Sequence, residues 1–211
     1  MRIVLFGATG MVGRRIAAEA VRRGHRVTTV SRSGESPVPG VTAAVADASD
    51  PVRVAALAAG ADAVVSACAP PRDGTEPGAP FLALNRSLVQ GTREAGVRRI
   101  LVVGGAGSLE VAPGQELIEQ PGFPEELLGE ARAHHDVLEY YRTVYDLDWT
   151  YVSPAAEIAP GERTERFRVN GDQLLTDADG ASRISAEDYA VACVDELERD
   201  AHPRARMSVA Y

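Results

Sequence analysis

Apolar residues in the first half of the chain form short runs separated by longer stretches with helical spacing. The short runs are rich in Val and Ile and predict strands, while the stretches between them predict helices. The predicted strands are residues 2–6, 26–30, 41–45, 63–66 and 99–103, and the predicted helices are residues 10–23, 51–59 and 81–95. Strands that alternate with helices predict right-handed crossovers, so we expect an α/β fold with a doubly wound parallel sheet and helices on both faces.

The second half of the chain has a less regular pattern. It predicts a helix over residues 123–145, a strand over 149–152, a helix that begins at Ser185, and a closing edge strand over 206–210. Ser185 and Asp188 have the spacing of a capping box, and Ile184 and Tyr189 have that of a hydrophobic staple. Three stretches that contain Gly and Pro have no assigned element, namely residues 69–80, 104–122 and 155–182. Because long loops in a compact domain are usually functional, we expect one domain over residues 1–211 with a substrate loop at about 155–182.

Composition narrows the classes of function. The chain has 211 residues, of which 45% are hydrophobic and 25% charged, as in ordinary globular proteins. Its net charge of −8 and the lack of a basic stripe argue against a nucleic-acid partner. All 22 basic residues are arginine, which excludes any mechanism that needs a lysine.

Cysteine spacing and the first residues bear on location. Cys68 and Cys193 lie far apart in sequence, with no histidine at metal-ligand spacing, so we expect two reduced thiols and no metal site. The apolar run at the start is too short for a signal peptide or a membrane span. We therefore expect a cytoplasmic protein with no membrane partner. We also expect a monomer or a weak homodimer.

The sharpest motif joins the first strand to the first helix, and it reads Gly7-Ala8-Thr9-Gly10-Met11-Val12-Gly13. Gly7 allows a tight turn, Gly10 allows the backbone to approach a pyrophosphate, and Gly13 allows the helix to pack closely on the strand. Exposed N–H groups and the helix dipole then favour an anion. In this strand–turn–helix context the glycine triplet predicts a dinucleotide site.

The residues after the next strands predict the type of dinucleotide. A carboxylate about 20 residues beyond the motif would favour NAD, whereas this chain has Ser31 and Arg32, and arginine favours the 2′-phosphate of NADP. NAD remains possible if Arg32 is a solvated loop residue. After the third strand, Asp47 has a carboxylate that an adenine amino group can reach. The full predicted cofactor set is Gly7, Thr9, Gly10, Met11, Val12, Gly13, Ser31, Arg32, Asp47, Ala48, Ala67, Cys68, Ala69, Gly104 and Pro154.

Several separate motifs resemble the atypical short-chain dehydrogenase/reductases. They are the glycine motif, the aspartate after strand three, Val-Gly-Gly-Ala-Gly-Ser-Leu at 103–109, Trp-Thr-Tyr-Val-Ser-Pro at 149–154, Pro-Gly-Glu-Arg-Thr at 160–164 and Ile-Ser-Ala-Glu-Asp-Tyr-Ala at 184–190. Together they are similar to the NmrA-like branch, which carries the label NADH-flavin reductase. The resemblance spans nearly the whole chain and implies an NAD(P)-binding Rossmann domain, with Pro154 near the nicotinamide ring.

The chain departs from this superfamily where its usual proton-transfer groups would lie. Ser after strand five and Tyr-x-x-x-Lys on the next helix are usual, but here Gly104-Gly105 follows the strand. Alignment of the helix at Glu139 places Ala131 and His135 at the Tyr and Lys positions. His135 is therefore the first catalytic candidate. The other candidates are His134, about 100° away around the helix, and Ser108 and Glu110 in the loop after strand five. Tyr140 and Tyr141 are given less weight. The alternative is that both histidines are packing or surface residues.

These features favour an NADPH-dependent oxidoreductase that acts on a small aromatic substrate. Flavins and quinones delocalise the charge that hydride brings, so they need a strong protein acid less than ketones do. One variant is reduction of a quinone whose reduced form then reacts with O2. Two alternatives remain open: a non-catalytic NADP-binding redox sensor, and an epimerase or dehydratase, which the missing Tyr–Lys pair disfavours.

Overall fold

The computed structural model describes residues 1–36, 38–72 and 74–211. Its principal elements alternate between strand and helix over the first hundred residues, as the hydrophobic pattern predicts. In chain order they are β1 (Arg2–Phe6), α1 (Met11–Arg22), β2 (Arg26–Ser31), β3 (Thr42–Val45), α2 (Pro51–Ala58), β4 (Ala63–Ser66), α3 (Gly78–Glu94), β5 (Arg99–Val103), β6 (Glu110–Ala112), β7 (Gln115–Glu116), α4 (Leu128–Arg142), β8 (Asp148–Ser153), β9 (Glu157–Ala159), β10 (Arg168–Asn170), β11 (Arg183–Ser185), α5 (Ala186–Arg199) and β12 (Ala205–Ala210).

Eight strands form the central sheet in the spatial order β10-β12-β8-β5-β4-β1-β2-β3. Every neighbouring pair is parallel except β10 and β12, which are antiparallel. The strand order reverses between β1 and β4, because the chain moves outward from β1 to β3 and then crosses to the other side. The α/β class with a Rossmann-like, doubly wound sheet is confirmed.

Helices cover both faces of this sheet. Alternate strand residues such as Ile3 and Leu5 pack with α1 and α5, while Val4 and Phe6 pack with α2, α3 and α4. A sheet buried on both faces explains why its strands are continuous apolar runs rather than alternating ones. Within the described ranges, no helix is long and apolar enough to span a membrane.

The expected edge strand at 206–210 is wrong in its position. β12 lies inside the sheet, between β8 and β10, and β10 is the outer strand. All three residues of β10 are exposed, so it carries no alternating apolar signal that the sequence would reveal. The interior position of β12 agrees with the burial of Met207 and Val209.

The long helix predicted over residues 123–145 is shorter in the structure. A 3₁₀ turn at Glu125–Leu127 precedes α4, which begins at Leu128. Pro124 disfavours a helical conformation at Phe123, so the predicted start at residue 123 is disfavoured. At the other end, the Thr143 hydroxyl donates to the Tyr140 carbonyl oxygen at 2.7 Å and closes the last turn.

The start of α5 confirms the cap at Ser185, but the reciprocal half of the capping box is absent. Ser185 Oγ accepts the Asp188 N–H at 2.9 Å. The Asp188 carboxylate instead accepts from the Thr164 and Glu165 N–H groups, both at 2.8 Å, and from the Tyr211 hydroxyl at 3.0 Å. The first turn of α5 thus anchors the loop before β10 and the last residue of the chain.

Candidate active site

A cleft of about 620 Å³ opens at the carboxyl ends of β1, β4, β5 and β8. This is the edge of a doubly wound sheet at which ligands bind, next to the point where the strand order reverses. One wall consists of the glycine turn and the residues after β4. The other wall consists of residues after β5 and β8, the 3₁₀ turn at Glu125–Leu127 and α4. The lining includes Gly10, Met11, Val12, Ala67, Cys68, Ala69, Gly104, Ala131, His134, Pro154 and Ile158.

The glycine turn is shaped by close backbone contacts. Gly7 has φ of +81°, which side-chain-bearing residues rarely adopt, and a Cβ there would overlap the Ala67 carbonyl. A Cβ on Gly13 would overlap the Gly7 carbonyl. Gly10 differs, because a Cβ there would approach only the Gly7 oxygen, at 3.4 Å. The space beside Gly10 is therefore open toward the cleft.

This open space suits the pyrophosphate of a dinucleotide. Gly10 is the N-cap of α1 and has an extended backbone, and no side chain caps the helix. The first N–H groups of α1 and the positive end of its dipole therefore face a region that a phosphate can enter. The residues present fit the group that the glycine motif predicts.

Four residues are predicted to lie near the adenosine part of the cofactor: Ser31 ends β2, Arg32 follows it, and Asp47 and Ala48 follow β3. The register Ser31–Val45 brings the two strand ends together, with the Ala46 N–H donating to the Ser31 carbonyl at 3.2 Å. The pKa of Asp47 is lowered, chiefly because its carboxylate accepts from the N–H and hydroxyl of Ser49, and nearby Arg32 adds to this. Arg32 itself is exposed. Ser31, Arg32, Asp47 and Ala48 lie together but outside the lining of the 620 Å³ cleft, and their role stays a prediction.

Cys68 lines the cleft, and its side chain would be a nucleophile if it were a thiolate. Burial raises its pKa to about 11, so the thiol is protonated at neutral pH. Ala67 and Ala69 flank it and add only small side chains to the lining. This segment therefore contributes shape and backbone groups rather than a thiolate.

Tyr151 explains why glycines follow β5. A Cβ on Gly104 would overlap the Tyr151 ring, and the Gly105 N–H approaches the Tyr151 hydroxyl at 3.4 Å. Tyr151 is fully buried, and burial raises its pKa above the ordinary value. The sequence placed Tyr151 in a strand but gave no sign that its hydroxyl contacts the base of the cleft.

His134 lines the cleft and is buried between α4 and β8. Burial lowers its pKa to about 4, so the ring is neutral at pH 7. Nδ1 lies 3.2 Å from the Tyr151 hydroxyl, and the Phe81 ring packs edge-on at a centroid distance of 5.0 Å. Ala131, one helical turn earlier, also lines the cleft.

The preference for His135 over His134 is not supported by the structure. His135 does not line the cleft, and about a third of its side chain is exposed. Its Nε2 lies 3.5 Å from a carboxylate oxygen of Glu116 on β7. The helix turns this residue outward because His134 and Ala131 take the inward face of α4.

Ser108 is likewise separate from the cleft. It is buried, and its hydroxyl accepts a hydrogen bond from Arg206 Nη1 at 2.9 Å. Arg206 also binds Asp172, so the three residues join the β5 loop to the outer strands. The structure gives Ser108 an anchoring role, which the sequence pattern did not predict.

An ion pair at the cleft was also missed from the sequence. Arg72, in the loop after β4, binds both carboxylate oxygens of Glu130 on α4, at 3.0 and 2.7 Å. Both residues line the cleft and connect its two walls. No motif marks them, because residues 58 positions apart meet only through the fold.

Comparison with known proteins agrees with this geometry. Residues 7–200 match the NAD(P)H-binding family, and the chain belongs to that family. It is similar to a "putative exported protein" of Burkholderia pseudomallei, with 51% identity, TM-score 0.92 and full coverage of both chains. A "putative epimerase" of Bacteroides thetaiotaomicron has 38% identity and TM-score 0.90, over 100% of this chain and 96% of the other.

A third similar structure is of a protein named as a reductase. It is a "putative NADH-flavin reductase" of Streptococcus pneumoniae, with 34% identity and TM-score 0.84 over 100% of this chain and 99% of the other. The resemblance to reductases of this type is thus confirmed, and a nicotinamide cofactor is the ligand that the family binds. The cytoplasmic location stays a prediction.

Proposed function

We propose that the protein is an NADPH-dependent reductase that passes hydride to a planar conjugated acceptor, a flavin or an aromatic quinone. The observation that carries this proposal is the chemistry of the cleft beside α4. Ala131 lies where the superfamily has its acidic tyrosine, and the adjacent ring, His134, is neutral and buried. Such a site suits an acceptor that spreads negative charge over its own rings.

The N-terminal part of the chain supplies what a dinucleotide needs. The backbone at Gly10 and the start of α1 would hold the pyrophosphate, and Arg32 would bind the 2′-phosphate that distinguishes NADP from NAD. Ala67, Gly104 and Pro154 line the adjoining part of the cleft. When bound there, the cofactor supplies a hydride.

The opposite side of the cleft suits a flat apolar ring. Its apolar lining includes Leu117, Pro121, Phe123, Leu127 and Ile158. These residues come from the stretches 104–122 and 155–182 that the sequence left unassigned, and from the approach to α4. They exclude water and orient the acceptor, which supplies much of the rate when no strong acid is needed. After release, a quinol formed there could reduce O2 to H2O2 and return to the quinone, so that NADPH is oxidised by O2 overall without a bound metal.

An anaerobic NADPH-oxidation panel tests this function. Lumiflavin and a naphthoquinone should be reduced readily, and cyclohexanone more slowly by about a hundredfold or more, since the site lacks the general acid that a ketone needs. Gly10→Val serves as a control that should lose activity with every acceptor, since it fills the phosphate space. Comparable rates on cyclohexanone and the naphthoquinone would overturn the proposal. Cofactor binding without turnover on the whole panel would instead favour a redox sensor.

A further inference from the structure

The Tyr151 hydroxyl contacts three polar groups at the base of the cleft. It lies 2.9 Å from the His134 carbonyl oxygen, 3.2 Å from His134 Nδ1 and 3.4 Å from the Gly105 nitrogen. A phenol has one proton to donate and can accept further bonds. The carbonyl can only accept, so the phenol proton goes to it. The hydroxyl oxygen then accepts from the Gly105 N–H and from Nδ1.

This arrangement determines which nitrogen of His134 carries the proton. Nδ1 must be the N–H that donates to Tyr151, and the neutral ring has only one N–H, so Nε2 has a free lone pair. Among the described residues, Nε2 has no hydrogen-bond partner. It is also not one of the buried side-chain nitrogen or oxygen atoms that solvent cannot reach and that lack a partner. Because the ring lines the cleft, Nε2 is available to a ligand.

Packing holds the ring in this orientation. The Phe81 ring contacts it edge-on, and the backbone of Gly105 lies so close that a Cβ there would be 2.9 Å from His134 Cβ. An orientation with Nδ1 in the cleft would break the bond to Tyr151 and leave a buried hydroxyl without one of its partners. A buried polar group that loses a hydrogen-bond partner is destabilising, so the observed orientation is preferred.

We propose that His134 binds ligands as a hydrogen-bond acceptor through Nε2, and that Tyr151 is the positioning residue that fixes this role. The identity of the ligand rests on the function proposed above. A ligand with an N–H or O–H on its rim completes the site, and the imide N–H of an isoalloxazine and the carboxamide of nicotinamide share this chemistry. A quinone that carries only carbonyl oxygens leaves Nε2 unpaired, so the cleft should favour rings with a donor. The proton that completes acceptor reduction then comes from water.

Nitrogen NMR of protein labelled with ¹⁵N-histidine tests the tautomer without any ligand. His134→Asn identifies the His134 signals, and His135→Asn, a change on the outer face of the same helix, is the matched control. At pH 7 we expect a protonated Nδ1 and an unprotonated Nε2 for His134. In Tyr151→Phe the signals should move toward the opposite tautomer. Protonated Nε2 in the unmodified protein, or signals unchanged in Tyr151→Phe, would overturn the proposal.

Ligand titrations then test the acceptor role. His134→Asn keeps a side-chain N–H near Tyr151 but removes the nitrogen in the cleft. We expect lumiflavin to bind about tenfold more tightly than its N3-methyl derivative, and this ratio should fall to about one in His134→Asn. If the nicotinamide carboxamide is the donor, His134→Asn should instead weaken NADPH binding about tenfold. Unchanged NADPH affinity together with an unchanged lumiflavin ratio would contradict the proposal, whatever the activity panel shows.

Discussion

The two walls of the cleft are held in place by different interactions. The N-terminal wall, made of residues 7–13 and 67–69, depends on backbone atoms that approach so closely that only glycine fits at two positions. The C-terminal wall, made of residues 104–134 and 154–164, packs its glycines against the side chains of Tyr151 and His134 and is joined to the rest of the fold by polar side chains. Its loop after β9 is tied to α1 by Arg163, which binds Glu19 at 2.9 and 3.0 Å.

The difference shows which part of the site tolerates change. Glu19 is almost fully buried and also binds Arg22 and Arg23, so its carboxylate accepts hydrogen bonds from three arginines. Removing one such buried group leaves several partners unpaired, whereas a side chain added beside Gly10 enters open space. A substitution at Gly10 should therefore lose cofactor binding without loss of stability, whereas removal of a buried polar group that anchors the C-terminal wall should mainly lower stability.

Gly10→Val should have the largest effect and should act on binding alone. The new side chain occupies the space for the pyrophosphate, so NADPH affinity should fall by more than roughly a thousandfold. The melting temperature should stay close to that of the unmodified protein. Gly13→Ala, whose new Cβ overlaps the Gly7 carbonyl, should instead lower the melting temperature. Fluorescence titration and thermal unfolding measure both quantities, and retained affinity in Gly10→Val would contradict the site.

Asp188→Ala should mainly affect stability. Its buried carboxylate accepts from two backbone N–H groups and from the hydroxyls of Thr164 and Tyr211. We expect a loss of about 3 kcal/mol in the free energy of unfolding, or roughly 6–12 °C in melting temperature. Glu157→Ala removes an exposed ion pair with Arg183 and should change stability by less than about 1 kcal/mol. Equal effects of the two changes would contradict the anchoring role of Asp188 in the C-terminal wall.

Arg32→Asp tests the cofactor preference on the predicted adenosine side, next to the N-terminal wall. The change removes a charge-assisted contact to the 2′-phosphate and adds a like charge, which should cost about 2 kcal/mol or more. NADPH affinity should fall about thirtyfold, while NADH affinity stays similar or improves. Titrations of both proteins with both cofactors measure this, and equal NADPH and NADH affinities throughout would exclude Arg32 from the site.

Acid should weaken the fold through His134. Its pKa is lowered from 6.5 to about 4 by burial, with Glu130 raising it and Arg72 lowering it by smaller amounts. The unfolded chain therefore binds this proton first, so the stabilisation is present above pH 6.5 and is lost as pH falls toward 4. Between pH 7 and 4.5 the free energy of unfolding should fall by about 2 kcal/mol more in the unmodified protein than in His134→Asn. Urea unfolding at both pH values measures this, and equal losses would place the ring in a more solvated site.

The N-terminal wall could be predicted from the sequence because local rules determine it. A glycine motif between a strand and a helix specifies the turn, and apolar runs specify the strands, so Gly7 and Gly13 lie where expected. The elements at 104–122 and 155–182 could not be predicted in this way. Their short strands are mostly exposed and depend on partners far along the chain, such as the contact between Glu110 and Gln173.

The choice between neighbouring histidines shows the same limit. Alignment with the superfamily placed His135 at the lysine position, and helix geometry separated it from His134 by about 100°. Which of the two faces the cleft depends on the rotation of α4 against β8, where Tyr151 lies. That rotation is set by packing against residues distant in sequence, so periodicity alone could not decide it.

The interior position of β12 has a consequence for synthesis of the protein. Chains emerge from the ribosome N-terminus first, and completed parts can begin to fold while the rest is made. β1 to β5 and their helices are available early, but β10 has no neighbour until β12 has been made. The Tyr211 hydroxyl also completes the contacts of Asp188. The pairing of β10 and the contact of Asp188 with Tyr211 can therefore form only after residues 205–211 have been made, well after the glycine turn.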